Sequence, residues 1–189
     1  MKRREAIKRT AAVMGGAIFA PTLAGLLQGC TPSGEEDWSP VNFRADQASW
    51  IRVLVDTILP ETDTPGALAV GVPEWMERMV FDVYNPENRD RFLHGLDDLD
   101  RWVQEWYAQS LDQLESGDTL EAIKKLNAEM VSGQNSCPSI GTYRLIKELT
   151  LLGYYSSEPG ATEELIYEPV PGRYEGCIPY EEIGATWAT

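Results

Sequence analysis

One histidine, His94, and three cysteines are all that 189 residues offer as soft metal ligands and conventional general bases. His94 is the only histidine and no Cys-x-x-Cys spacing occurs, so no metal centre is expected. The glycine patterns that cradle phosphates are missing, as is the Gly-x-Ser-x-Gly elbow of serine hydrolases. A chain this short without a dinucleotide fingerprint has no room for its own flavin or nicotinamide domain. Basic residues are scarce too, with 16 Lys and Arg against 30 Asp and Glu. The first thirty residues take five of the basic residues and one acidic, so the remainder carries eleven against 29, a net of −18. Nucleic acid is thereby excluded as a partner, because phosphate binding needs a basic footprint. Direct electrostatic attachment to anionic lipid is disfavoured for the same reason. The acidic surplus serves either solubility outside the cytoplasm or docking to a basic partner, and composition does not separate the two.

What is present begins at the amino terminus. Arg3 and Arg4 lie side by side ahead of Lys8, and a weakly apolar run from Ala11 to Leu27 follows, bearing Gly15 and Gly16. This is the layout of an export signal of the twin-arginine type, used for cargo that has already folded, with the general secretory route as the alternative. Pro21, Thr22 and Gly25 interrupt the run, which falls short of the ~20 apolar residues of a membrane span. Leu27-Gln28-Gly29-Cys30 has the form of a lipoprotein box, making Cys30 the lipidated first residue of the mature chain. Cleavage near Ala20 to Ala24 is the alternative. Residues 1–30 are thus read as signal, 31–42 as a polar tether, and 43–189 as one domain. Its size, about 160 residues with the tether, suits a single core.

The domain reads as all-α, a compact bundle of about five helices with an irregular tail wrapped on it. Trp50, Val53, Leu54, Thr57 and Ile58 mark one face of a helix over 45–59, stopped by Pro60. A second opens at Pro73 and runs to about Tyr84, burying Trp75, Met76, Met79, Val80 and Val83. Asn85-Pro86 opens the longest, which carries Phe92, Leu96, Leu99, Val103 and Trp106 and continues through Tyr107, Leu111 and Leu114 to Gly117. It is the expected spine of the core. Asp118 and Glu121 form a capping box for a fourth helix with Leu120, Ile123, Leu126 and Met130 inside, ended by Gly133. A fifth covers 139–153 with Tyr143, Ile146, Leu149 and Leu152. Past Tyr155 no helix is expected, because Pro, Gly and aromatic residues alternate through 167–176.

Catalytic candidates are few. His94 sits beside Arg91, Asp97 and Asp98 on the long helix, the position of a surface histidine rather than a general base. Asp97 and Asp100, three apart, could converge as a carboxylate pair, which keeps a free-standing lipoprotein with hydrolase or scaffold activity as the alternative function. Ser156 and Ser157 have no histidine near them in sequence. With Cys30 lipidated, Cys137 and Cys177 remain as an even pair in an oxidising compartment, a possible disulfide; two free thiols or a bridge to another subunit are the other assignments. The tail tyrosines Tyr154, Tyr155, Tyr167, Tyr174 and Tyr180 suit either a protein interface or a cover over the helices.

Three blocks of this sequence resemble the gluconate 2-dehydrogenase subunit 3 family. They are Thr57-Ile58-Leu59-Pro60 through Pro65-Gly66-Ala67 to Gly71-Val72; Leu149 through Gly153-Tyr154-Tyr155-Ser156-Ser157; and Leu165 through Tyr167, Pro171-Gly172, Tyr174, Gly176 and Pro179. The resemblance spans roughly Val41 to Glu182. It implies a small subunit with no redox centre and no catalytic, cofactor or metal residues of its own. Its implied partners are a large FAD-containing flavoprotein of the glucose-methanol-choline type that oxidises a sugar or polyol, and a haem-bearing cytochrome c subunit as electron acceptor. The Arg3-Arg4 signal would then carry the folded, flavin-loaded partner into the periplasm, and the complex would be held to a membrane only by a lipid anchor. Tyr154, Tyr155, Tyr167 and Tyr174 are the residues expected to anchor the partner.

Overall fold

The first helix, α1 (Ala45–Ile58), forms where the sequence places it, and the amide of Arg44 donates to the Gln47 Oε1 at 3.4 Å to close its first turn. The computed structural model describes residues 38–133, 137–170, 172 and 177–188. Arg3, Arg4, Cys30 and Tyr174 lie outside these. A turn-rich loop leads to α2 (Val72–Arg78), with Pro73 in its first turn, and the chain continues as a π-helical turn over Met79–Val83. Next, α3 (Pro86–Tyr107) is capped by Asn85, whose side chain accepts the Asn88 amide at 2.8 Å. A 3₁₀ turn at Leu111–Gln113, α4 (Ser116–Ser132) and α5 (Ile140–Tyr155) complete the body. Among the described residues there are only helices and a single isolated β-bridge, so the all-α expectation holds. No helix among them is long and apolar enough to cross a membrane.

Helix α5 is the hub, rather than the longer α3: it packs against α1, α2, α3 and α4. Glycines make this possible at two crossings. A Cβ at Gly95 of α3 would lie 1.9 Å from the Thr142 Oγ1 of α5, and one at Gly153 would lie 2.8 Å from the Trp75 ring. Larger residues would hold these elements apart and open voids in the core. Inside sit Phe43, Trp50, Ile51, Leu54, Val55, Met76, Val80, Phe92, Leu96, Leu99, Val103, Ile123, Leu126, Tyr143, Ile146 and Leu149.

Several expectations are corrected. Helix α3 stops at Tyr107, where Ala108 turns left-handed (φ 55°), so it does not continue to Gly117. Trp106 in the last turn is exposed, and its ring carries the Lys125 ammonium 3.4 Å from its centroid, a cation–π contact. Val83 is exposed because the wider π turn shifts its register from the α-helical stripe. Leu120 and Leu152 also face outward. Helix α4 starts ahead of Asp118, which lies in its first turn, and has no side-chain cap. Past Tyr155 the chain is not wholly irregular: a π-helical turn covers Gly160–Glu164 and a short helix, α6, covers Tyr180–Ile183.

Two buried carboxylates fasten the loops. Glu77 of α2, 5 % exposed, accepts the Trp38 indole N–H at 2.9 Å and the amides of Val41 (2.9 Å), Asn42 (2.5 Å) and Phe43 (3.2 Å). The entry segment is thereby clamped to the body, while the Arg52 guanidinium donates to the Trp38 carbonyl and lies over its ring. Asp100 of α3 accepts the Ser110 hydroxyl and the Leu111 amide, both at 2.8 Å, and Gln104 at 2.5 Å. Ser110 in turn accepts the Trp50 indole at 3.0 Å, which ties the loop after α3 to α1.

Burial pushes the Glu77 carboxyl up, but the Asn42 amide, the Trp38 indole and the Phe43 and Val41 amides outweigh it and hold the group below its ordinary 4.5. A carboxyl depressed in the folded state stabilises fully above its unfolded value, and the contribution is lost as pH falls through the folded one. Glu77→Ala removes a charged acceptor from four donors, so a loss of about 3 kcal/mol is expected by chemical denaturation at neutral pH. In Glu77→Gln the fall in stability below pH ~4.5 should be shallower than in the wild type; an unchanged acid limb would show that other carboxyls govern it.

Candidate functional site

Residues of the first two blocks meet through hydrogen bonds around Thr64 and Tyr154. In the first block, the Ala67 amide donates to the Leu59 carbonyl at 2.9 Å and the Val72 amide to the Ala67 carbonyl at 3.1 Å, folding Pro60 to Gly71 into a compact loop. From the second block, Tyr154 is 4 % exposed and its hydroxyl donates to the Thr64 Oγ1 at 3.4 Å. Thr64 passes the chain of bonds on to the Glu164 Oε2 at 2.9 Å. The Ser157 hydroxyl donates to the Tyr154 carbonyl at 2.6 Å and accepts the Gly160 amide at 3.2 Å. Ser157 is a turn-builder here: its hydroxyl satisfies backbone groups left over at a helix end.

The tail then closes on itself. The Ile166 amide donates to the Thr186 carbonyl and the Ala188 amide to the Ile166 carbonyl, both at 2.9 Å, forming a parallel bridge between Ile166 and Trp187. The described aromatic residues between these two points, Tyr167 and Tyr180, are exposed. Tyr167 is 57 % exposed and Tyr180 64 %, and Val170 and Trp187 are exposed as well. Tyr155, edge-on to Tyr154 at 5.2 Å, is half covered. Burial, then the Glu164 carboxylate, then Tyr154 push its phenol above the usual range.

The candidate residues therefore part company. Tyr154 is a core residue and no surface anchor; Tyr155 and Tyr167 are accessible. Asp97 and Asp100 do not form a carboxylate pair. Asp97 accepts Arg44 at 2.7 Å and Gln47 at 3.0 Å, while Asp100 is spent on the loop after α3. His94 is exposed on α3 with its Nδ1 2.7 Å from the Asp90 carbonyl, a helix-surface histidine. Among the described residues no three His, Cys, Asp or Glu side chains are grouped to hold a metal. Ser156 and Ser157 lie in the turn after α5, and Ser157 is committed to backbone.

Glu77 escaped the sequence reading and Asp100 entered it only as a possible partner of Asp97, yet a signal for their burial existed. Glu77 lies on the stripe Pro73, Met76, Val80, and Asp100 on the stripe Leu96, Leu99, Val103. A charged residue in an apolar stripe must be satisfied by nearby donors. Tyr143 shows the opposite case: fully buried, its hydroxyl makes no hydrogen bond of good geometry. The nearby Asn127 accepts the Lys147 ammonium on its Oδ1 at 2.7 Å. Burial, tempered by Asn127, pushes the Tyr143 phenol up to about 12.

The possible bridge between Cys137 and Cys177 is not formed. Cys137 is fully buried ahead of α5, its amide bound to Glu129 at 3.0 Å, whereas Cys177 is exposed in the tail just before α6. Burial pushes the Cys137 thiol above its usual range, against the opposing Ser139 amide and with help from Glu129 and Asp98. Iodoacetamide should therefore label Cys177 in the native protein and reach Cys137 only after unfolding, as read by peptide mass mapping. Protection of both in the native state, relieved by reductant, would restore the bridge.

Residues 45–172 match the family model described as gluconate 2-dehydrogenase subunit 3. No curated protein and no solved structure matches the chain.

Proposed function

The chain belongs to the gluconate 2-dehydrogenase subunit 3 family, and on that premise we propose that it is a non-catalytic accessory subunit of a periplasmic dehydrogenase complex. Its partner in this reading is a flavoprotein of the glucose-methanol-choline type, which holds the FAD and oxidises a sugar or polyol. A cytochrome c subunit receives the electrons through its haem. The Arg3-Arg4 signal takes the folded partner across with it, and a lipid on Cys30 holds the complex to a membrane.

One observation carries the reading. The tail presents Tyr167, Val170, Tyr180 and Trp187 outward on a loop pinned by two backbone hydrogen bonds, although they could have been spent on the core. Rigid aromatic rings with a polar edge supply much contact area for little ordering entropy, which is why they anchor interfaces. In support, the carboxylates singled out in the sequence are occupied in holding loops. A carboxylate hydrolase finds no such support.

Changing Tyr167 and Tyr180 together to Ala should leave the helical circular dichroism intact and reduce recovery of the flavoprotein with the tagged subunit. A loss of about 2 kcal/mol per anchor is expected. Undiminished recovery would place docking elsewhere. Separately, Arg3→Lys with Arg4→Lys should leave both chains in the cytoplasmic fraction; a flavoprotein still exported would end the carrier model.

A further inference from the structure

A groove of about 760 Å³ runs between α3 and the first half of α5, away from the aromatic tail residues. Its apolar lining comes from Tyr84, Phe92 and Leu145, and Arg91, His94 and Arg144 add positive or donor groups. That is the composition of a recognition site, an apolar bed with a few polar groups that fix register. The contact of Gly95 with Thr142 brings the helices together there. Gly141 leaves the adjoining space empty, since a Cβ built on it meets nothing within 4 Å.

Arg144 is the telling residue. The described arginines Arg44, Arg78, Arg89, Arg91 and Arg101 each have a carboxylate partner. Arg52 is engaged by Trp38. Arg144 alone among them has no such bond, in a domain with nearly three acidic residues for each basic one. The Asn88 side chain on the opposite wall is also free of protein partners. Two carboxylates also line the groove: Asp98 is held by Arg101 at 2.6 Å and by Ser139 at 3.3 Å, and Glu148 follows Arg144 by one turn of α5. An incoming acid is therefore favoured at Arg144 and repelled by Asp98 and Glu148.

We propose that this groove receives an extended segment of the dehydrogenase subunit, with an apolar side chain on Tyr84 and Leu145 and a carboxylate on Arg144. The proposal rests on the accessory-subunit reading. Planar guanidinium–carboxylate pairing supplies the direction, and the surrounding acidic surface rejects a segment carrying the acid in another register.

Affinity between the purified subunits tests it. Arg144→Glu reverses an exposed charge, and Gly141→Phe fills the open space while replacing glycine in a helix, so neither should unfold the chain. Each is expected to weaken binding about ten-fold or more, while Arg144→Lys retains most of it and thermal midpoints stay at the wild-type value. Wild-type binding by both variants, alongside loss in the Tyr167→Ala, Tyr180→Ala double variant, overturns the groove and keeps the docking reading. Absence of binding by the wild-type pair overturns both. If citrate raises the thermal midpoint of the wild type but not of Arg144→Glu, and subunit affinity is unchanged, the groove is a small-anion site and the proposal falls.

Discussion

The bundle depends on how closely its neighbours can approach α5. A helix that touches four others has little free perimeter, and every extra methyl group on it pushes some partner outward. Gly95 opposite Thr142 and Gly153 opposite Trp75 remove that obstacle at the two ends of the hub. Close approach at these points sets where α2 and α3 lie, and with them the loop from Pro60 to Gly71 and the turn after Tyr155. The stretch from Leu149 to Ser157 begins in this hub, and Gly153 within it meets a packing need.

Loops in this protein are ordered by single acidic side chains. Glu77 collects the entry segment and Asp100 the connection after α3, each offering its oxygens to several donors. A buried carboxylate with that many donors is better satisfied than one facing a lone arginine, because desolvation is offset by directional bonds on all sides. The surface ion pairs, Arg78 with Glu74 and Arg91 with Glu87, are exposed and one helical turn apart. Such pairs contribute only a few tenths of a kcal/mol.

Helix number and order were legible because apolar periodicity and proline punctuation are strong local signals: Pro60, Pro73, Pro86 and Gly133 stand at or next to helix ends. What periodicity could not convey was where an apolar position stops being internal. Trp106 repeats correctly with Val103, but α3 ends one residue later and leaves the ring on the surface, over Lys125. Val83 fits an α-helical stripe that a π turn displaces. The buried carboxylates were missed for a different reason: charge was taken to mean solvent, although Glu77 and Asp100 occupy core positions of their stripes. In the tail, Tyr154 and Tyr155 are adjacent in sequence and differ in fate, since successive positions on a helix point about 100° apart. The aromatic richness of the tail was legible in composition, and the groove beside Arg144 was not, since it needs two helices to be brought together.

The clamp on the entry segment has a mechanical consequence. Tension arriving along the chain ahead of Trp38 meets its first resistance at the indole and at the amides of Val41 to Phe43, all gathered on one carboxylate. Bonds that share a single acceptor group carry a load together and yield together, so the segment would release as a unit rather than peel residue by residue. Because Glu77 belongs to α2, the force passes into the helix whose Trp75 is seated on Gly153, and so into the hub, without loading the tail.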